Sequence, residues 1–261
     1  MRGWLGLLLG LLLAGCDQTP TGRQQLALVP DALMSQMGAD TFEQMRQQGP
    51  IATTSAINQQ VECVSRELLA AARRRYPQVD MPDEWEVVVF DRPSPNAFAL
   101  PGGRIGVHAG LLRVAETPSQ LAAVIGHEIG HVLADHGNER MTQQLGIKSV
   151  LILVGLLGEG ELGQEPLQRA LGIGARLGIA LPFSRTHEEE ADLMGLMIMA
   201  EAGYAPAQSV ALWHNMAAAG GDQPPEFLST HPAHESRIEL LQKHLPEARD
   251  IRETAAPSSC A

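Results

Sequence analysis

The feature that most constrains this 261-residue chain is His127-Glu128-Ile129-Gly130-His131, set in a stretch from Leu121 to His136 that is strongly apolar on one face. Thr117-Pro118-Ser119-Gln120 ahead of it is a helix-start signal, with proline near the first helical position. On a helix, residues four apart differ by about 40° in azimuth and about 6 Å along the axis, so both imidazoles lean to one side. Two neutral imidazoles placed this way can share one Zn²⁺ at about 2.0–2.1 Å. Glu128 sits beside the first histidine and can reach the water on that metal without binding the metal itself. A carboxylate so placed takes the proton as the water attacks a carbonyl. Gly126 and Gly130 allow close backbone packing against this helix.

A catalytic zinc takes a third protein ligand and keeps a fourth position open. The candidate lies in His187-Glu188-Glu189-Glu190-Ala191-Asp192, inside a helical run to Glu201. Glu188 and Asp192 stand at i and i+4 and share a face. That suits a carboxylate ligand with a further acid to accept an imidazole N–H. His187 competes for the ligand role but faces about 100° away from Glu188. Glu189 and Glu190 read as a solvated face. His136 falls off the ligand face and reads as structural, and His108, His214, His234 and His244 have no matching partner.

Around this centre, Trp85 to Phe90 is β-branched and bounded by Pro82 and Pro93, which predicts a strand. Asn96–Leu100 and Arg104–His108 flank Pro101-Gly102-Gly103 and read as two short strands about a tight turn. Helical periodicity covers Pro30 to Gln48 and Ile51 to Arg75. The apolar stretch Leu145 to Gly158 contains Lys148 and is too short to span a bilayer, which takes about 20 residues. With Gly172, Gly174 and Gly178 beyond it, this region reads as a buried hairpin, the alternative being a membrane-touching surface.

The formal charge of −11 argues against a nucleic-acid partner, since phosphate binding needs a clustered basic surface. The run Arg73-Arg74-Arg75 reads as a solvated helix face. At the N-terminus, Arg2 precedes the apolar run Trp4 to Ala14, as in a secretory signal. Leu13-Ala14-Gly15-Cys16 resembles a bacterial lipobox, in which Cys16 would carry the lipid that tethers the chain to a membrane. Asp17 then suggests the inner membrane. The organisation expected is a signal peptide over 1–15, a lipid-anchored tether and helix over 16–50, a metallopeptidase domain over 51–245 and a tail over 246–261. Cys63 and Cys260 read equally as a disulfide and as two separate thiols.

Asn96-Ala97-Phe98, His127-Glu128-Ile129-Gly130-His131, Ser184-Arg185 with Glu188 to Asp192, and Thr230-His231-Pro232 with Arg237 occur in this order. In that order they resemble the HtpX/BepA/LoiP-like peptidases, relatives of the CAAX prenyl endopeptidases. Thr21-Gly22-Arg23-Gln24-Gln25-Leu26-Ala27-Leu28-Val29 looks like the bacterial lipoprotein branch. The resemblance implies an α+β fold, mostly helical and zincin-type (gluzincin), with a small sheet beside the metal helix. It implies one zinc held by His127, His131 and Glu188, with Glu128 as general base. Asp192 and Arg237 would support that centre from outside, and Asn96, Ala97 and Phe98 would bind substrate as a strand above the cleft. His231 would approach the zinc, either as a fourth ligand that holds the enzyme latent or as a donor to the oxyanion. The reading favours both roles, with latency dominant at rest.

The function expected is zinc-dependent endoproteolysis on the periplasmic face of the cell envelope, acting on unfolded or misassembled envelope proteins. The alternative is a zinc-bound periplasmic chaperone or adaptor lipoprotein with little proteolysis.

Overall fold

The computed structural model describes residues 16–144, 146, 182–219, 226–232 and 235–260. The expected signal peptide and, apart from residue 146, the expected hairpin region 145–178 lie outside the described residues. No helix among the described residues is long and apolar enough to cross a membrane.

Two short strands open the chain, β1 (Cys16–Gln18) and β2 (Gln24–Leu26), paired antiparallel with Cys16 opposite Leu26. Helices α1 (Asp31–Gln48) and α2 (Ser55–Arg75) follow. The sheet comes next, from β3 (Glu86–Phe90), β4 (Ala97–Leu100) and β5 (Arg104–His108), close to the strand ranges predicted. Its order is β3-β5-β4, parallel between β3 and β5 and antiparallel between β4 and β5. β4 is therefore an edge strand, and an edge leaves backbone groups open to a further strand.

The metal helix, α3 (Pro118–Leu133), starts as its sequence directs: Pro118 occupies the first turn and the Thr117 hydroxyl accepts from the Gln120 N–H at 3.2 Å. It is buried on nearly every side, as befits the central helix of a core. α4 (Arg185–Glu201), capped by Ser184, crosses it at very close range. A Cβ added at Gly195 would lie 2.7 Å from the His127 backbone nitrogen, and one at Gly130 would lie 3.0 Å from the Ala191 carbonyl oxygen. The small residues are what let the two ligand-bearing helices touch. α5 (Ala207–Ala219), the short α6 (Glu226–Thr230) and α7 (Glu235–Thr254) complete the order.

Two local departures from the sequence reading bear on the site. The helix expected to run on to His136 stops at Leu133; Asp135 takes φ 51°, and a new helical stretch begins at His136. Asp tolerates this left-handed backbone better than most residues. The second departure is the segment from Asp17 to Arg23, which its Thr, Pro and Gly content reads as a short tether. It is docked: Thr19 is buried, and farther on Asn138 exchanges two hydrogen bonds with the backbone of Val29, at 3.0 and 2.8 Å. Thr, Pro and Gly make a segment look like linker, but here the polar side chains meet buried acids.

Cys63 on α2 and Cys260 near the C-terminus form a disulfide, with 197 residues of separation and Cα atoms 5.7 Å apart. Glu67, one turn along α2, also accepts hydrogen bonds from Ser258, Ser259 and Tyr204. In the chain-entropy view, closing a loop of this size stabilises by about 5 kcal/mol. Reduction is expected to lower the denaturant midpoint accordingly, measured by urea unfolding with and without reductant. An unchanged midpoint, with both thiols shown to be released, would mean that the Glu67 contacts hold the terminus alone.

Candidate metal centre

His127 and His131 lie on the same face of α3, and Glu188 reaches them from the first turn of α4. Nε2 of His131 stands 3.0 Å from Nε2 of His127 and 3.4 Å from Oε1 of Glu188. His231 completes the group: its Nδ1 lies 3.2 Å from His127 Nε2 and 3.1 Å from Glu188 Oε1. Four buried donors thus converge within 4.8 Å of one another. A tetrahedral zinc shell with bonds of about 2.0–2.1 Å has edges of about 3.3–3.4 Å, close to these separations. The other ring nitrogens agree. His127 Nδ1 meets the Asp192 carboxylate at 2.9 Å and so carries the proton, leaving Nε2 free to ligate. The residues fit zinc.

Charge is arranged around the same point. Glu188 is fully buried, and burial alone would raise its carboxyl. His231, His127 and His131 outweigh that and hold it far below the usual carboxylate range. Burial also opposes charge on His127, but Asp192 and Glu188 together push it up to about 9, so a zinc taken up there would displace the proton on Nε2. Asp192 in turn receives two hydrogen bonds from Arg237, at 2.6 and 2.8 Å. Arg237 also pairs with Glu188, donates to the Pro232 carbonyl at 3.2 Å and lies 3.9 Å over the Trp213 ring. It ties the carboxylate ligand, the support of His127 and the His231 loop into one unit.

Glu128 stands beside the four donors without joining them. Its Oε2 accepts the Ala99 N–H of edge strand β4 at 3.2 Å, while its buried Oε1 has no hydrogen-bond partner and faces His231 Nε2 at 3.4 Å. Burial, the largest influence on it, raises its carboxyl above the ordinary value. A cleft of about 270 Å³ opens here, lined by Asn96, Ala97, Phe98, Glu128, Glu226 and His231 among others. The three residues expected to bind substrate therefore lie on the cleft wall. Asn96 is fixed there by donating to Glu226 at 3.1 Å, and the Phe98 ring packs toward Phe42 and Phe90.

Other residues around the donors were not expected. Phe183 stacks on His131 with ring centroids 3.9 Å apart, and Phe227 stacks on His231 at 4.4 Å. Neither aromatic stands in a motif that could have signalled it. Glu190, expected on a solvated face, is buried, because α4 turns that side toward the N-terminal segment. Burial would raise its carboxyl, but hydrogen bonds from His136, Thr19, Thr21 and Arg23 bring it down to about 2. His136 is no donor to the four-atom group, yet its Nδ1 lies 2.9 Å from His131 Nδ1. His187, the rival ligand, instead meets Glu139 at 3.1 Å.

Two histidines and a base from α3, with a glutamate ligand from α4, define a zincin-type metallopeptidase centre. The chain belongs to Peptidase family M48, which it matches over residues 55–245, and zinc is the metal of that family. It is 38% identical to mitochondrial metalloendopeptidase OMA1 of Schizosaccharomyces pombe over 66% of this chain and 50% of that protein. With OMA1 of Saccharomyces cerevisiae the identity is 32%, over 96% of this chain and 77% of the relative. With the β-barrel assembly-enhancing protease of Escherichia coli it is 30%, over 78% and 42%. The chain thus spans about half the length of the fission-yeast relative.

These matches correct one expectation. The relatives named as mitochondrial metalloendopeptidases point away from a lipid-anchored protein on the periplasmic face of a bacterial envelope. That placement rested on Arg2, a short apolar run, the lipobox-like Leu13–Cys16 with Asp17, and the likeness of Thr21–Val29 to a bacterial lipoprotein branch.

Proposed function

We propose that this chain is a zinc-dependent endopeptidase whose substrate is an extended stretch of unfolded or misassembled polypeptide. The observation that carries the reading is the placement of Glu128. It sits next to four converging donors with one carboxylate oxygen unpartnered, and it is held by an edge strand that lines the cleft. A peptide lying along β4 would add as a further strand, drawing affinity from main-chain hydrogen bonds. Zinc, when bound, acidifies water and polarises the scissile carbonyl. Glu128 takes the proton from the attacking water and delivers it to the leaving amine. His127, His131 and Glu188 hold the metal, and Asp192 with Arg237 keeps His127 in the ligating tautomer.

His231 occupies the corner that an active zinc site keeps open for water and substrate. Its role here is to close the resting site, and it moves aside when substrate enters. His231→Ala is then expected to raise zinc-dependent cleavage of an unfolded protein such as casein. A fall of about 10²–10³-fold would instead make His231 a donor to the oxyanion. If neither wild type nor His231→Ala cleaves in a manner blocked by a zinc chelator, the chain is a binding protein that uses the cleft without cutting.

A further inference from the structure

The two zinc histidines are supported from opposite ends of the chain. His127 leans on Asp192 and, through it, on Arg237 of α7. His131 leans on His136, which reaches Glu190 at 3.0 Å through its other ring nitrogen. Direction follows from the metal site. Since His131 Nε2 faces the donor cluster, its Nδ1 carries the proton and donates to His136 Nδ1. His136 Nε2 must then carry a proton and donate to Glu190 Oε2. Both nitrogens of this fully buried ring are committed, and His187 stacks on its face at 4.5 Å.

Glu190 is the terminal acceptor, and among the described residues its remaining donors come from the N-terminal hairpin. Thr19 and Thr21 donate their hydroxyls to Oε1, and Arg23 donates Nε to Oε2 at 2.7 Å. Backbone bonds from Thr19 N to Arg23 O at 2.9 Å and from Gly22 N to Thr19 O at 2.8 Å fold these residues into one tight turn. The other end of the Arg23 guanidinium grips Glu139 at 3.1 and 2.7 Å, and Glu139 holds the stacked His187. A hairpin that only covered the core would need none of this convergence on one buried carboxylate.

Resting on the zinc reading above, we propose that the hairpin at residues 16–26 is part of the metal centre. Arg23, with Thr19 and Thr21, acts as a positioning group for His131 through Glu190 and His136. Outer partners of ligating histidines are typically worth about 10–100-fold in metal affinity. The hairpin therefore sets how tightly the zinc is held, although none of its residues touches the metal.

The test uses the purified full chain, with Zn²⁺ affinity read by chelator competition and the His131 environment read from the visible spectrum of Co²⁺-loaded protein. Arg23→Ala is expected to weaken Zn²⁺ about tenfold and to shift the Co²⁺ bands, with partial recovery in Arg23→Lys. Glu190→Gln preserves the shape of the side chain and should show both effects, even where Arg23→Ala folds poorly. In a His136→Phe background the further loss from Arg23→Ala should vanish, because the relay is already cut. Losses that add in full would overturn the relay and leave the hairpin as packing. Normal zinc uptake with an indifferent Arg23→Ala and Glu190→Gln removes this inference alone, whereas a wild-type chain that takes up no zinc removes the metal reading with it.

Discussion

Glu128→Gln is expected to keep its zinc and its fold and to lose about 10²–10⁴-fold in turnover, the usual contribution of a positioned general base. Glutamine has nearly the same shape and can still accept the Ala99 N–H through its amide oxygen, so the held geometry survives. What it cannot do is take a proton from the attacking water. Turnover should be measured on an unfolded protein substrate beside metal content, and repeated in a His231→Ala background so that closure of the site does not mask the difference. Near wild-type turnover in Glu128→Gln would take this residue out of the chemistry.

Arg237→Ala should be the most destabilising single change near the site, by about 3–5 kcal/mol. Arg237 is only 1% exposed and neutralises two buried carboxylates, Asp192 and Glu188. Its removal leaves the histidines alone to offset both charges and empties the space over Trp213. Arg237→Lys should recover little, since a point charge cannot make the two-pronged contact with Asp192. Denaturant unfolding of the zinc-free and zinc-loaded forms would check this. A midpoint within experimental scatter of wild type would show that the two acids find other partners.

The metal helix was legible because its chemistry is local. His127, Glu128 and His131 share one face whatever surrounds them, and Thr117-Pro118 marks the helix start in four residues. The strands were legible for the same reason, since β-branched runs between prolines and glycines leave few alternatives. Glu188 was reachable because a fixed helical offset to Asp192 singles it out. The support of His131 was not legible. It depends on Asp135 ending the helix early and turning His136 back, and on a polar N-terminal segment finding Glu190 across 167 residues of sequence from Arg23. Glu190 has no such partner at a helical offset, so nothing in the local pattern says that it too faces inward. The stacked rings of Phe183 and Phe227 were hidden for the same reason, as single aromatics outside any periodic stretch.

Arg237 and His231 come late in the chain, and this has a consequence for how the protein is made. A ribosome delivers His127, Glu128, His131 and Glu188 before either of them. For that interval the emerging polypeptide has a base and three ligands but lacks the cation that balances Asp192 and Glu188. Until Arg237 arrives, Asp192 and Glu188 have only the histidines to offset their charge, so burying the ligand cluster before α7 is in place is costly. His231, proposed above to close the site, precedes Arg237 and is tied to it through the Pro232 carbonyl. Among these groups the stretch made last thus supplies both the arginine and the histidine proposed above to close the site, so a centre assembled around them is sheathed as it forms.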